Sequence, residues 1–298
     1  MTPIDSTMLV RLKLRQCSFE KMDRKVTKDV LDREAAGKDA GKFTKRLIPT
    51  EAIRPVNTAI GHLRTANKSQ TLPFDDSHWR LLTTANWDNH NRVMNDLGMK
   101  LVAEVENLLN HYPRWKASAQ QMLNGMYKEE DYPTPDEIRE MFKMEVKYRE
   151  VPRGSNFLVD MNDDRTKAIR ESIEQETADK FASAQKELWD KMLETVSHFT
   201  EMVGAGDREH KNKDGKIEYR TPVFKNSVVE NLAEIADLAP RLNLTGDRQL
   251  NELATAISAE LLEYTPEQLR QSSAARNQVA EKGKAKVDAI TKAMEGVF

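Results

Sequence analysis

The side chains that could do chemistry in this sequence concentrate in one aromatic and acidic stretch, residues 67–87. Two carboxylates and an imidazole so close together could bind a metal ion or exchange a proton with a substrate, and His90 could join them. The stretch could also be a binding surface. Alternatively, the carboxylates pair with Arg80 or cap a helix, while the rings anchor a loop to neighbouring helices. The residues concerned are Asp75, Asp76 and His78, with Phe74, Trp79 and Trp87 around them.

Signatures of common enzyme and cofactor sites do not occur in the sequence. Its six histidines are scattered, and no two stand four apart on a helix with a supporting carboxylate. No glycine-rich loop is followed by Lys and Ser or Thr, and there is no G-x-S-x-G motif. The single cysteine, Cys17, excludes an internal disulfide and has no recognisable histidine partner. We therefore expect a protein that is not an enzyme and uses no metal or cofactor.

Charge is distributed unevenly along the chain. Residues 1–70 carry 15 Lys and Arg against 8 Asp and Glu, whereas the remainder carries 31 against 40. The positive end could bind the phosphate backbone of nucleic acid, or could dock on an acidic region of this protein or of a neighbour. The candidate nucleic-acid-binding residues are Arg11, Lys13, Arg15, Lys42, Lys45, Arg46 and Trp79.

Three segments predict the strands of a small antiparallel sheet. Residues 8–16 alternate apolar and basic side chains, which is typical of a half-buried strand. Residues 144–148 and 156–160 predict two further strands on either side of the turn-forming sequence VPRGS.

Residues 165–203 predict one long amphipathic helix, because apolar residues recur three or four apart along it. At ~1.5 Å per residue such a helix is roughly 58 Å long. Other helices of this chain, or a second copy of it, must cover its apolar stripe. We predict an oligomer interface formed by Phe181, Leu188, Met192, Val196 and Phe199.

The remaining segments are mainly helical. Helices are predicted at 19–36, 49–67, 86–111, 114–126 and 223–238, after the turn 243–247, and from 266 onward. Another helix begins at Pro135, after a capping box of Thr134 and Glu137. Pro113 should end one helix so that the next turns back. The middle of the last helix is small and polar, so we expect it to pack weakly or against another subunit. The fold class is mainly α with a minor β component: a mixed domain over 1–162, then a helical bundle over 163–298 with an exposed tip at 204–221.

The sequence contains no membrane-spanning segment. No apolar run approaches the ~18 residues that a span needs, and no hydrophobic signal region stands at the N-terminus. We expect a cytoplasmic protein.

Several segments in order resemble a known family. They are MLVRLKLRQ, AGKFTKRLIP, TLPFDDSHWRLL, DYPTPDEIREMFKMEVKYREVP and FKNSVVENLAEIADLAPRLNLTGDRQL. Over about residues 8–280 the chain is similar to a family of bacteria, bacteriophages and integrative elements known only as a domain of unknown function (the DUF3150 type). The resemblance implies a phage or mobile-element protein in a bacterial host cell, with a MoxR/CobS-like AAA+ ATPase as a genomic neighbour. It supplies no active site.

Two functions remain open from the sequence. The first is a self-assembling helical adaptor or scaffold, a homo-oligomer that could work with an AAA+ ATPase. The alternative is an accessory protein of phage DNA replication or recombination. Its basic N-terminal third would bind single- or double-stranded DNA.

Overall fold

The structure is a computed structural model that describes residues 3–153, 164–205, 208–211, 217–220 and 225–297. The described residues are mainly helical with a small antiparallel sheet, as the sequence predicts. The helices are α1 (Arg24–Arg33), α2 (Thr50–Ser69), α3 (Trp87–Leu123), α4 (Pro135–Met141), α5 (Asp164–Gly204), α6 (Asn226–Leu242), α7 (Arg248–Leu261), α8 (Pro266–Gln271) and α9 (Ser273–Val297). The strands are β1 (Thr7–Leu14), β2 (Glu20–Met22), β3 (Thr44–Arg46), β4 (Leu72–Pro73), β5 (Arg80–Thr83), β6 (Met144–Glu150), β7 (Arg208–Lys211) and β8 (Ile217–Arg220).

The chain forms two compact units built from non-contiguous segments. Unit 1 comprises residues 1–10, 70–88 and 148–298, and unit 2 comprises 11–69 and 89–147. This division departs from the single boundary predicted after residue 162. Leu9, Phe74 and Leu81 lie in the same apolar core as the helices that follow residue 163, so their segments belong with those helices.

The main sheet has the strand order β4-β5-β1-β6. Strands β1 and β6 confirm the strands predicted at 8–16 and 144–148, and the strand predicted at 156–160 lies outside the described residues. Strands β4 and β5 were not expected, because residues 67–87 predict a loop. β4 has only two residues, and Leu81, Leu82 and Thr83 of β5 are all buried. A strand buried on both faces shows no alternation.

Helix α5 confirms the predicted long helix and organises the core of unit 1. Helices α6 and α9 pack against it, and α7 packs against both of them. Trp189 on α5 is fully buried. The predicted oligomer interface is corrected here, because these helices of the same chain already cover its side chains. All five are buried in the core of one chain: Phe181, Leu188, Met192, Val196 and Phe199.

Helix α9 packs on α5 through its small residues, which corrects the expectation that its middle packs weakly or against another subunit. A Cβ added at Gly283 would overlap Oγ1 of Thr200, and one added at Gly204 would lie 3.1 Å from Cβ of Ala280. The two helix backbones therefore approach closely, and they can do so because these side chains are small.

Helices α2 and α3 supply most of the core of unit 2. Contrary to expectation, α3 is one helix of 37 residues that runs through Pro113. A proline inside a helix costs about 3 kcal/mol. The buried positions continue on both sides of it at helical spacing, so burial outweighs that loss. These positions are Leu101, Val105, Leu108, Tyr112, Ala119 and Leu123.

Other boundaries also follow local chemistry. The predicted helix at 19–36 begins only at Arg24, because the Asp23 side chain accepts hydrogen bonds from the backbone N–H groups of Lys25 and Val26. Helix α6 continues through Pro240 to Leu242, and the predicted last helix divides at Ser272 into α8 and α9. The predicted tip at 204–221 contains the antiparallel pair β7 and β8.

Candidate functional site

The acidic stretch in unit 1 is a turn held by internal hydrogen bonds. Oδ1 of Asp75 accepts from the backbone N–H of Trp79 at 3.0 Å, and its Oδ2 lies 3.3 Å from Nη2 of Arg149. That guanidinium lies 4.1 Å from the centre of the Trp79 ring. Phe74 is buried and Trp79 packs against the core, so both rings anchor the segment. Within the part of the chain that the structure describes, no group of three His, Cys, Asp or Glu residues could hold a metal ion.

His90 belongs to unit 2, whereas Asp75, Asp76 and His78 belong to unit 1. Its ring is fully buried, and its Nε2 lies 3.1 Å from Oδ1 of Asn67. Burial lowers the pKa of His90 to about 4. The imidazole is therefore neutral at pH 7 and supports the packing of α2 on α3.

Strand β1 presents a row of cations in unit 2. Leu12 and Leu14 pack against the unit 2 core, so the alternating side chains of Arg11 and Lys13, and of Arg15 just after the strand, point to the other side. Lys13 and Arg15 are exposed and Arg11 is half-exposed. Arg15 lies 3.5 Å from Glu140.

Helix α2 carries a second row of cations. Arg54, Arg64 and Lys68 are exposed and share one side of the helix with Asn57 and Gly61, at spacings of three and four residues. The opposite side of α2 is apolar and buried. Only one acidic residue, Glu51, occurs in the helix.

Gln16 joins the two rows. Its Nε2 donates to Oδ1 of Asn57 at 2.9 Å, and Nη2 of Arg64 donates to its Oε1 at 2.9 Å. The end of β1 and the polar side of α2 are therefore adjacent. Together they form what we call the basic face: Arg11, Lys13, Arg15, Arg54, Arg64 and Lys68.

Three of these residues were missed from the sequence: Arg54, Arg64 and Lys68. The sequence did contain a signal for them, because their helical spacing places them on the side opposite the apolar stripe of a predicted helix.

The two units of the structure also differ in charge. Unit 2 carries 23 Lys and Arg against 17 Asp and Glu, a net charge of +6, whereas unit 1 carries 23 against 31, a net charge of −8.

Lys45, a predicted nucleic-acid contact, is instead an internal ion-pair residue. Its Nζ is buried 2.6 Å from Oδ2 of Asp131 and 3.4 Å from Oδ2 of Asp23, and donates to the carbonyl of Met126. Burial raises the pKa of Asp131, but hydrogen bonds from Lys21 and Lys45 outweigh it, so the pKa lies below its ordinary value. A cation held this way is unavailable to a ligand.

The other predicted contacts are dispersed. Lys42 is exposed, and Arg46 lies 3.4 Å from Glu20. Trp79 is in unit 1, with its ring face occupied by Arg149. Cys17 is a half-buried free thiol whose Sγ accepts from the backbone N–H of Phe19.

A groove of about 750 Å³ in unit 2 is the second notable surface. It lies between α3 and residues 139–146. Met99 and Val102 on α3 are 65% and 62% exposed, although they are apolar. Met144 approaches the backbone of α3 closely in this groove, because a Cβ added at Gly98 would lie 3.2 Å from Sδ of Met144. Exposed apolar side chains beside a groove are typical of surfaces that bind protein.

Comparisons of the chain with protein families, with curated proteins and with solved structures gave no match. Among the described residues, no helix is long and apolar enough to cross a lipid bilayer.

Proposed function

We propose that this chain is a nucleic-acid-binding accessory protein and that the basic face of unit 2 binds the phosphate backbone. The observation that carries this proposal is the pair of hydrogen bonds that Gln16 makes with Asn57 and Arg64, which brings two rows of cations together. Cations at a shared surface bind phosphates and release the counterions that nucleic acid condenses.

The geometry of β1 suits a regularly charged polymer. Side chains two residues apart on a strand recur about every 6.6 Å on the same side. Arg11, Lys13 and Arg15 therefore form an evenly spaced row. Arg54 and Arg64 extend the positive surface beside it, and the amides of Gln16 and Asn57 supply hydrogen-bonding groups between the rows. Contacts of this kind position a backbone without reading its sequence.

The family resemblance supplies the context of this proposal. It implies a bacteriophage or mobile-element protein in a bacterial host cell, with an AAA+ ATPase as a genomic neighbour. The accessory role in DNA replication or recombination is proposed from the basic face itself.

The test is binding of fluorescent DNA by anisotropy over a range of salt concentrations. Affinity should fall steeply with salt, and removing one cation that binds a phosphate should reduce the slope by about 1. The variants are Arg11→Glu/Lys13→Glu on β1 and Arg54→Glu/Arg64→Glu on α2. We expect each to weaken binding by about tenfold or more. The matched control is Lys186→Glu/Lys292→Glu in unit 1, which changes net charge equally and should leave affinity unchanged.

The control decides whether position or net charge matters. If it weakens binding as much as the two test variants do, the basic face is not the binding surface. Absence of binding to any DNA at low salt would remove the proposal.

A second candidate is the adaptor or scaffold function, now placed on the α3 groove instead of on α5. The exposure of Met99 and Val102 favours it. Self-association through this surface should be resistant to salt and unaffected by DNA. Light scattering after size-exclusion chromatography should show an oligomer that Met99→Glu/Val102→Glu converts to a monomer. If the wild-type protein is monomeric at high concentration, the self-assembling scaffold is excluded. The groove could then serve only as an adaptor surface for a different protein, such as an AAA+ ATPase.

A further inference from the structure

A small lobe of unit 2, formed by β2, β3 and α1, exposes an aromatic ring among cations. Helix α1 buries no side chain. Phe43, which precedes β3, is 37% exposed, and Met22 and Val30 are also exposed. Residues 20–46 carry nine Lys and Arg against six Asp and Glu. Apolar and positive groups are therefore available on the same lobe.

The backbone at Phe43 is fixed from both sides. Its N–H donates to the hydroxyl of Thr27 at 3.0 Å, and its carbonyl accepts from the N–H of Asp23 at 2.9 Å. Asp23 in turn caps α1 and pairs with buried Lys45. The position of Phe43 is thus set before any ligand arrives, which reduces the entropic cost of binding on its ring.

Beside the Phe43 ring lies a cavity of about 350 Å³ with largely apolar walls. The Thr27 hydroxyl in its lining is already committed, because it also donates to the carbonyl of Asp23 at 2.7 Å. Glu34 in the lining lies 2.9 Å from Arg33. Val30, Leu31, Ala36, Ala40 and Phe43 supply the apolar lining.

Lys42 is the cation in the lining of this cavity. Four further cations belong to the same lobe: Arg24, Lys25, Lys28 and Lys38. Within the described residues, none of these five side chains forms an ion pair. A ligand that fits must offer a flat apolar surface and a nearby negative charge. An unpaired nucleotide offers both, since every base has an exposed π-face and a phosphate.

We propose that the ring of Phe43 stacks on an unpaired base while Lys42 binds the adjoining phosphate, so that the ligand of unit 2 is single-stranded nucleic acid. This inference rests on the proposed function and names its substrate class. In a duplex the base faces are covered by their neighbours, and such a ring has nothing to stack on. The exposed apolar area is small and surrounded by charge, whereas a stable protein partner needs about 800 Å² on each side.

The experiment compares three labelled probes by anisotropy at fixed salt: a single strand of mixed sequence, its duplex, and a single strand of the same length made of abasic sites. The wild-type protein should bind the first about tenfold or more tightly than the abasic strand, because stacking contributes at each base it engages. Phe43→Ala should lower affinity for the normal strand to the abasic level and leave abasic binding unchanged. Phe43→Trp should retain the preference.

Two further variants keep the test specific. Phe43→Leu preserves apolar packing but removes the aromatic face, so it should behave like Phe43→Ala. Lys42→Gln should weaken both single strands equally. Met122→Ala, which also truncates an exposed apolar side chain in unit 2 and lines neither the α3 groove nor this cavity, is the control and should change nothing.

The failures are distinguishable. Equal wild-type affinity for normal and abasic strands, or a duplex bound as tightly as the normal strand, would overturn the stacking proposal and leave the basic face standing. Normal binding by Phe43→Leu would do the same. If no probe binds even at low salt, the proposed function fails with it.

Discussion

The two longest helices of the molecule resemble each other in length and differ in what they expose. Helix α5 in unit 1 has 41 residues, and from Phe181 to Val203 its apolar stripe is buried in the core to which α6 and α9 also contribute. Helix α3 in unit 2 has 37 residues and leaves Met99, Val102 and Met122 exposed. The most conspicuous sequence pattern therefore marks the core of unit 1, whereas the less conspicuous helix leaves apolar side chains exposed.

The units also differ in how they bury polar groups. Unit 2 contains the buried ion pair of Lys45 and Asp131 and the neutral imidazole of His90. The core of unit 1 is largely apolar around Trp189. We therefore expect unit 1 to respond mainly to changes in apolar packing, and unit 2 also to changes in charge and pH.

The strongest contrast should come from charge placed on the two helices. Leu188→Glu/Met192→Glu on α5 should lower the free energy of unfolding by more than about 5 kcal/mol, because it removes buried apolar groups and buries two carboxylates. Met99→Glu/Val102→Glu on α3 should change it by less than about 1 kcal/mol, since both sites are exposed. Urea unfolding followed by circular dichroism measures both. Similar losses in the two variants would erase the distinction between the helices.

Removing the buried cation of unit 2 should have the next largest effect. Lys45→Ala removes the buried cation that the carboxylates of Asp23 and Asp131 share, which costs about 3–5 kcal/mol. Lys42→Ala, three residues away and exposed, should cost less than about 0.5 kcal/mol. Hydrogen exchange resolved by peptide should show the loss in unit 2. A loss of hydrogen-exchange protection confined to unit 1 would contradict the conclusion that Lys45 stabilises unit 2.

The pH dependence of unit 2 should follow His90. Its pKa is about 4 in the folded protein and about 6.5 unfolded, so the unfolded state binds more protons between those values. Stability is fully present above pH 6.5 and falls by about 3 kcal/mol as the pH drops to 4. Urea midpoints measured across this range should show the decline, and His90→Gln should flatten it. An equally steep decline in that variant would assign the effect to other groups.

The smallest effect concerns the close packing of α9 on α5. Gly283→Ala forces its Cβ against Thr200 and should cost about 1–3 kcal/mol. Thr200→Ala removes the atom that lies nearest, so the double variant should recover part of the loss. Thermal unfolding of the four proteins in this cycle gives the coupling. Strict additivity would mean that the methyl group added at position 283 does not press against Thr200.

Sequence reasoning succeeded where the signal was local. The periodicity of α5, the alternation of β1, and the capping box of Thr134 and Glu137 each lie within one element, and all are present in the structure. It failed where distant segments decide the outcome. The continuity of α3 through Pro113 depends on burial against other elements, and β5 has no pattern because all sides of it are covered.

The candidate site was half predictable for the same reason. The cations of β1 were identified from the alternation of apolar and basic residues alone. Those of α2 would have been found only by asking which polar residues lie on the side of the helix opposite its apolar stripe. Lys45 was misassigned because its partner Asp131 is remote in sequence and only folding brings the two together. Phe43 was not among the predicted nucleic-acid contacts, because its cavity is formed by segments that a linear pattern does not connect.

The interleaving of the two units has a consequence for synthesis. All segments of unit 2 have left the ribosome soon after residue 147, whereas Leu9, Phe74 and Leu81 await helices encoded in the second half of the chain. At ~5–20 residues per second this wait lasts roughly 8–30 s. The nascent protein therefore carries a positively charged unit whose segments are complete, together with uncovered apolar side chains.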